Sequence, residues 1–557
     1  MDLQVSLPQI VEGDRTEVET RPGKLATWLS SLPLLNLAET SQKVFQSLSA
    51  TNRSRLDDKD RLKLLETYRE SVATLCAELE KEFIGQSLPL PQKALLAASR
   101  ARGFQIEMAY GYKFLTKTLA ENINGKIKDK VASQLALSTQ RAIFYLANSL
   151  YYSYISYHPP VPGVWREIHR LYDFAATLQA NDIEVEDHLV APKGQSSVTA
   201  VYKKALLLDL SGPYHLPARS VKNIYQCLNT WGSLATLSTA EDLPKMGCQF
   251  LLDRTRDSAG EVYDNGQINK SNIKQYQILN TLELARHVHS RLKTVKAGQV
   301  PEENGVKHGI YTEENTKEFL TRLVNAWGVN PKRSFRRVSK KGDEIDIAIG
   351  VESINLWLNG GERLVLSSEF VGPMPQKKKF GTYYLKETDS PDISLPDQMQ
   401  NNPELAIIVW NVIDESAGGL ALSCKKAGQH KIKVGDILSL RTGKDGHWEI
   451  AVVRWIKNTD VDTVSIGVQR MAPDAVAVAI NVVNEEGKDT GYKPALLLPA
   501  MPALKQPPTI VAEKSTLQHG QAFFMDNGFQ LNEAKAVRVT ESTTAFERFE
   551  FSIVQTR

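Results

Sequence analysis

The apolar period of this chain changes once, near residue 330, and that change limits the possible folds more than any composition figure does. Before it, apolar residues recur at steps of three and four. Leu65, Tyr68, Val72, Leu75 and Leu79 place one stripe on a helix that stops near Gly85 and Pro89. The same texture covers about 92–124, 134–157, 160–180, 196–211, 217–236 and 275–297, with breakers such as Pro159-Pro160, Gly212-Pro213 and Gly298 between segments. A last helix takes Thr312 as its N-cap, carries Phe319, Leu320, Leu323 and Trp327 on one face, and ends at Gly328 and Pro331. Key residues do not recur at the roughly 34- or 40-residue periods of helical repeats. The expectation is therefore an all-α region, bundle-like or solenoid-like.

From Ile345 onward the period is two. Ile345, Ile347 and Ile349, then Leu420 and Leu422, alternate between clusters of Pro, Gly and Asp. Pro373, Pro375, the run Lys377-Lys378-Lys379, Pro391, Pro396 and Pro403 mark a long loop or insertion, its lysines read as a solvated face. After about residue 475, alternation at Val476, Val478 and Ile480, a Pro-rich stretch from Pro499 to Pro508, and alternation near Val537–Val539 and Phe549–Ile553 indicate a small C-terminal β domain.

At 557 residues the chain exceeds one ordinary core, and about three or four domains are expected. A net charge of +3 gives no global attraction to nucleic acid or an anionic membrane, so an anion site must be local. Cys76, Cys227, Cys248 and Cys424 are widely spaced and form no C-x-x-C pair, which argues against a disulfide framework and a zinc site and fits a reducing cytoplasm. No stretch reaches the roughly 18 apolar residues of a membrane span, and the start lacks a secretory pattern.

The local charge anomaly is Lys332-Arg333-Ser334-Phe335-Arg336-Arg337-Val338-Ser339-Lys340-Lys341, in which six of ten residues are cationic. Arg333 and Arg337 form R-x-x-x-R between the end of a helix and the start of a strand. Each guanidinium fork can take a phosphate bidentately or stack its flat face on a base. The spacing alone is weak, because Arg166 and Arg170 repeat it inside an apparent helix, where a solvated face is the simpler reading. The second motif is Asp414-Glu415-Ser416-Ala417-Gly418-Gly419, a D-x-S-x-x-G that occurs once, between the apolar runs Ile407–Val412 and Leu420–Leu422. As a turn it offers a carboxylate acceptor, a short hydroxyl, and glycines for positive φ or close backbone approach. Alone it also reads as an ordinary Asx-type hairpin turn.

Together the two motifs resemble the signature of the PilZ family, small β-barrels that bind the bacterial second messenger cyclic di-GMP, over residues from about 330 to 475. Val434–Leu440, Ile450–Trp455 and Ser465–Gln469 are similar to the later strands of that barrel. The resemblance implies that Arg333 and Arg337 contact phosphates and guanine faces, that Asp414 and Ser416 read a guanine edge, and that Gly419 shapes the turn. Lys332, Arg336 and Gly418 are secondary candidates. One departure is the 76 residues between Arg337 and Asp414, more than is usual in the family, which implies an insertion.

The expected organisation is a multidomain α + β protein. Residues 1–24 form a flexible start, 25–328 the α-helical region, 329–341 a ligand-binding linker, 342–475 a PilZ-like antiparallel β-barrel with an insertion at about 360–404, and 476–557 a β-rich segment. The expected role is a cytoplasmic cyclic di-GMP effector, not an enzyme, with no metal or cofactor, no nucleic-acid partner, and a protein partner met through the helical region. The alternative is a scaffold whose PilZ-like barrel no longer binds nucleotide. His287-x-His289 lacks a third metal ligand, and the aromatics Phe144, Tyr145, Tyr151, Tyr152, Tyr154 and Tyr157 fit packing on a helix.

Overall fold

A computed structural model describes residues 3–11, 19–123, 127–189, 194–240, 247–264, 268, 270–303, 306–307, 316–328, 338–340, 342–369, 377–380, 383–386, 405–425, 431–443, 446–460, 463–483 and 489–556. The chain divides into two compact units. The first is Met1–Gln86 with Leu90–Lys332, and the second is Arg333–Arg557 with Ser87–Pro89.

The first unit is helical: α1 (Pro22–Ser31), α2 (Leu37–Arg53), α3 (Asp58–Lys81), α4 (Gln92–Glu121), α5 (Asp129–Ile155), α6 (Val164–Thr177), α7 (Val198–Leu210), α8 (Ala218–Trp231), α9 (Leu282–Lys296) and α10 (Thr316–Trp327). The stripe on α3 is buried at every predicted position. Helix α5 packs against α4, α6, α7 and α8 and is buried all round, as a central helix must be. All six members of the aromatic cluster lie in its buried run or just beyond it; Tyr145 stacks on Tyr112 and Tyr151 on Tyr225. The same helix carries Arg141, which with Arg69 and Gln140 holds the fully buried carboxylate of Asp187. On α10, Phe319, Leu320, Leu323 and Trp327 are buried, and the Trp327 indole donates to the Leu207 carbonyl at 3.0 Å. The predicted cap, Thr312, lies outside the described residues.

The unit also holds features that the helical periodicity does not show. A four-stranded antiparallel sheet is set among the helices, from β1 (Thr236–Thr239), β2 (Gln249–Asp253), β3 (Glu261–Val262) and β4 (Tyr276–Asn280), in the order β1-β4-β2-β3. Strand β4 runs into α9 with one residue between, so the two read as a single helical segment in sequence. The chain start is also held: Leu3 is buried, the Ser6 amide donates to Glu167 at 2.6 Å, Arg170 reaches the Gln4 carbonyl, and the Val11 amide donates to the Arg53 carbonyl.

The second unit is two six-stranded antiparallel barrels. The first comprises β5 (Val338–Ser339), β6 (Glu344–Ile349), β7 (Ile408–Ser416), β8 (Gly419–Lys425), β9 (Ile437–Arg441), β10 (Glu449–Asp460) and β11 (Thr463–Ala472). Its ring runs β6-β9-β10-β11-β8-β7 and closes by pairing of β7 with β6, leaving β5 as an extra strand on β7. The stretch expected as a long loop or insertion contributes a pair of antiparallel strands, Lys377–Phe380 with Tyr383–Lys386. The second barrel is closed as well, from β12 (Val476–Val483), β13 (Asp489–Leu498), β14 (Thr509–Glu513), β15 (Ala522–Asp526), β16 (Leu531–Ser542) and β17 (Phe546–Thr556), ordered β12-β13-β14-β17-β16-β15.

A short helix, α11 (Val351–Leu358), joins the two barrels. Gly350, at φ 87°, makes the turn out of β6, and its amide donates to the Ile437 carbonyl. The α11 residues Val351, Ile354 and Trp357 pack in one core with Ile450 and Val452 of the first barrel and Leu496 and Phe546 of the second. The buried Asn355 amide donates to the carbonyls of Val478 and Ala495, at 2.8 Å each. Asn355→Ala leaves two buried carbonyls short of a donor, at about 1–3 kcal/mol each. The substitution is expected to lower the stability of both barrels together, by about 2 kcal/mol or more, in urea unfolding; two separated transitions with only one shifted would contradict the shared core.

Candidate functional site

Strands β7 and β8 form the hairpin that carries D-x-S-x-x-G. Ser416 and Gly419 are register partners, and Ala417-Gly418 make the turn. A register shift between Val412 and Asp414 marks a bulge, which re-aims the end of β7. The Ser416 hydroxyl donates to the Gly419 carbonyl at 3.2 Å, closing the turn while its lone pairs remain able to accept. Gly419 is required for space, because a Cβ there would lie 2.0 Å from the Val468 carbonyl oxygen on β11. Asp414, Ser416 and Gly418 are all half-buried at this end of the barrel.

The other edge of β7 is divided. Residues 408–411 pair with β6, whereas Asp414 and Glu415 pair with Ser339 and Val338 of β5. Lys332, Arg333, Arg336 and Arg337 lie outside the described residues. Val338 is the next residue after Arg337, so the described chain resumes from the arginine run directly opposite the D-x-S-x-x-G turn.

Among the described residues, two cations hold the turn. Lys340 meets the Glu415 carboxylate at 2.6 Å, and its amide donates to the Ile413 carbonyl at 3.4 Å. Arg470 on β11 donates to the Ser416 carbonyl at 2.8 Å, to Glu415 at 2.7 Å and to Glu449 at 2.7 Å, and its backbone amide donates to the Gly418 carbonyl at 3.1 Å. Hydrogen bonds from Lys340 and then Arg470 hold the Glu415 carboxyl below the usual carboxylate range, and Glu415 raises the Lys340 ammonium in turn. Because the folded Glu415 pKa is depressed, its stabilising contribution is present above the ordinary glutamate range and is lost as pH falls through the lowered value.

The turn thus brings together Asp414, Ser416, Gly418 and Gly419 as the sequence predicts. Arg166 and Arg170, the repeat of the arginine spacing, sit on α6. Arg470 was not singled out in sequence, since it is a lone arginine in a strand whose partners lie 21 to 55 residues away.

Comparison with known proteins agrees with this architecture. Residues 249–379 and 374–476 match the family model described as the middle PilZ domain of the cyclic-di-GMP receptor FimW. The N-terminal domain model of the same family matches residues 23–242, and its C-terminal β-barrel domain model matches 478–554. The first barrel is therefore a PilZ barrel, and the chain belongs to the family of PilZ proteins whose three domains these models describe in order. The curated cyclic-di-GMP receptor FimW of Pseudomonas aeruginosa is 24% identical over 584 aligned residues, covering 99% of this chain and 93% of that protein. No solved structure matches the chain. The middle model begins at residue 249, so β2, β3 and β4 of the small sheet, α9 and α10 fall in the same family region as the barrel even though they pack in the helical unit, while β1 of that sheet falls in the N-terminal match.

Gly419→Ala pushes a methyl group against the Val468 carbonyl. Overpacking of this kind costs about 1–3 kcal/mol. Urea denaturation should register a loss in that range; an unchanged midpoint would mean that the hairpin and β11 separate freely.

Proposed function

We propose that this chain is a cyclic di-GMP receptor, in which the arginine run closes over a nucleotide seated at the D-x-S-x-x-G turn. The observation that carries the proposal is the pairing of Val338 and Ser339, the two residues after the arginine run, with Glu415 and Asp414 of the turn motif. Arg333 and Arg337 take the phosphates and guanine faces. Asp414 accepts from a guanine edge, Ser416 adds a hydroxyl, and Lys332, Arg336 and Gly418 supply charge and backbone at the margins.

Energetics require both motifs. Two charge-assisted arginine contacts at about 1.5–3 kcal/mol each supply at most about 6 kcal/mol, whereas micromolar affinity needs about 8. The guanine-edge contacts and stacking make up the difference and offset the entropy of ordering the segment. Calorimetric titration is expected to give micromolar or tighter binding, reduced at least tenfold by Arg333→Ala with Arg337→Ala. No heat at high micromolar nucleotide, or equal binding by the double variant, overturns the assignment and favours a docking barrel without ligand.

In this reading, segment 329–341 is the ligand-responsive linker between the helical region 25–328 and the barrel 342–475, and its closure changes how the helical region meets a protein partner. The output is one of motility, pili, biofilm or polysaccharide export. The match to the middle PilZ domain of a cyclic-di-GMP receptor supports the receptor reading, and a cytoplasmic, non-catalytic role is part of the same proposal. Saturating nucleotide should slow hydrogen exchange across 328–341; protection that does not change there despite saturation removes the closure from the mechanism.

A further inference from the structure

Each of the three nitrogens of the Arg470 guanidinium donates to the hairpin or its support. The fork reaches the Ser416 carbonyl and the Glu415 carboxylate on β7 and the Glu449 carboxylate on β10, while the residue's own amide holds Gly418 from β11. One planar group therefore sets the position of the turn against two other strands of the ring. Lysine, a point donor on a flexible stem, cannot reproduce that fork.

The electrostatics point the same way. Glu415 stands between Asp414 and Ser416 in the motif and, one step along the strand, faces the other side of β7, so the turn that would meet a ligand with two phosphates carries an acidic charge of its own. Arg470 and Lys340 compensate it at 2.7 and 2.6 Å. Lys340 is half exposed, and an exposed pair of that kind contributes little. Arg470 is less exposed, at 27%, and makes the larger set of bonds.

We infer that Arg470 is a positioning residue for nucleotide recognition: it fixes the Ser416–Gly419 turn and neutralises Glu415 without itself touching the ligand. This rests on the reading of the turn as a cyclic di-GMP site. Arg470→Ala is expected to weaken cyclic di-GMP binding at least tenfold by calorimetry, and Arg470→Lys to fall between it and the unaltered protein. The neutralising role adds a signature that simple barrel support would not give: Arg470→Ala combined with Glu415→Gln should regain part of the lost affinity, because the uncompensated carboxylate is gone.

All variants are titrated as full chains, with unfolding midpoints recorded alongside. Should Arg470→Ala fail to fold, Arg470→Lys and Glu449→Gln carry the test, each expected to lose affinity severalfold while remaining folded. Binding within twofold of the unaltered protein in folded Arg470→Ala, or in both milder variants, overturns the inference alone. Absence of binding by the unaltered protein overturns the ligand assignment, and the role given to Arg470 goes with it.

Discussion

Strand β7 has one outer edge and two partners along it, and the candidate site exists because of that division. A strand edge is a row of backbone donors and acceptors that must be paired, covered or solvated. Strand β6 closes the ring over residues 408–411 and then leaves, and β5 takes up the edge at Asp414 and Glu415. The segment that follows the arginine run is thus bound by main-chain pairing to the motif that would read a base. Had β6 continued along β7, Val338 and Ser339 would have no edge to pair with at Asp414 and Glu415.

Much of this could be read from the residues, and what could not has physical causes. The α3 stripe and the α10 face were legible because a helix repeats its buried positions every three to four residues, and those residues are indeed buried. The sheet from β1 to β4 was hidden because Tyr276–Asn280 abuts α9, with no Gly or Pro to mark the switch of period. In the second barrel the alternation at Val476, Val478 and Ile480 was visible, but Thr509–Glu513 and Ala522–Asp526 are too short, and too mixed in texture, to stand out from a Pro-rich stretch. The turn motif was legible because it is contiguous. Arg470 was not, because its meaning lies in acceptors contributed by β7 and β10, and nothing in its own neighbourhood announces them.

The C-terminal barrel is more closely joined to the site than a boundary at about 476 suggests. Helix α11 puts residues of both barrels into one core, beside a second core that lies within the C-terminal barrel alone. Strand β11, which carries Arg470 and pairs Gln469 with Gly419, ends at Ala472, and β12 opens the second barrel at Val476. A polar connection runs beside this covalent one: Arg454 donates to the Gln469 side chain at 2.7 Å and to Glu541 of the second barrel at 2.8 Å. Close-packed cores transmit displacement because they have little empty volume to absorb it. A turn that shifts on β7 must therefore shift β11 or lose its contacts with Gly418, Glu415 and Ser416. Since β11 is fixed to the second barrel by chain, core and Arg454, the D-x-S-x-x-G turn that β11 holds through Arg470 is tied to the C-terminal barrel as well as to its own.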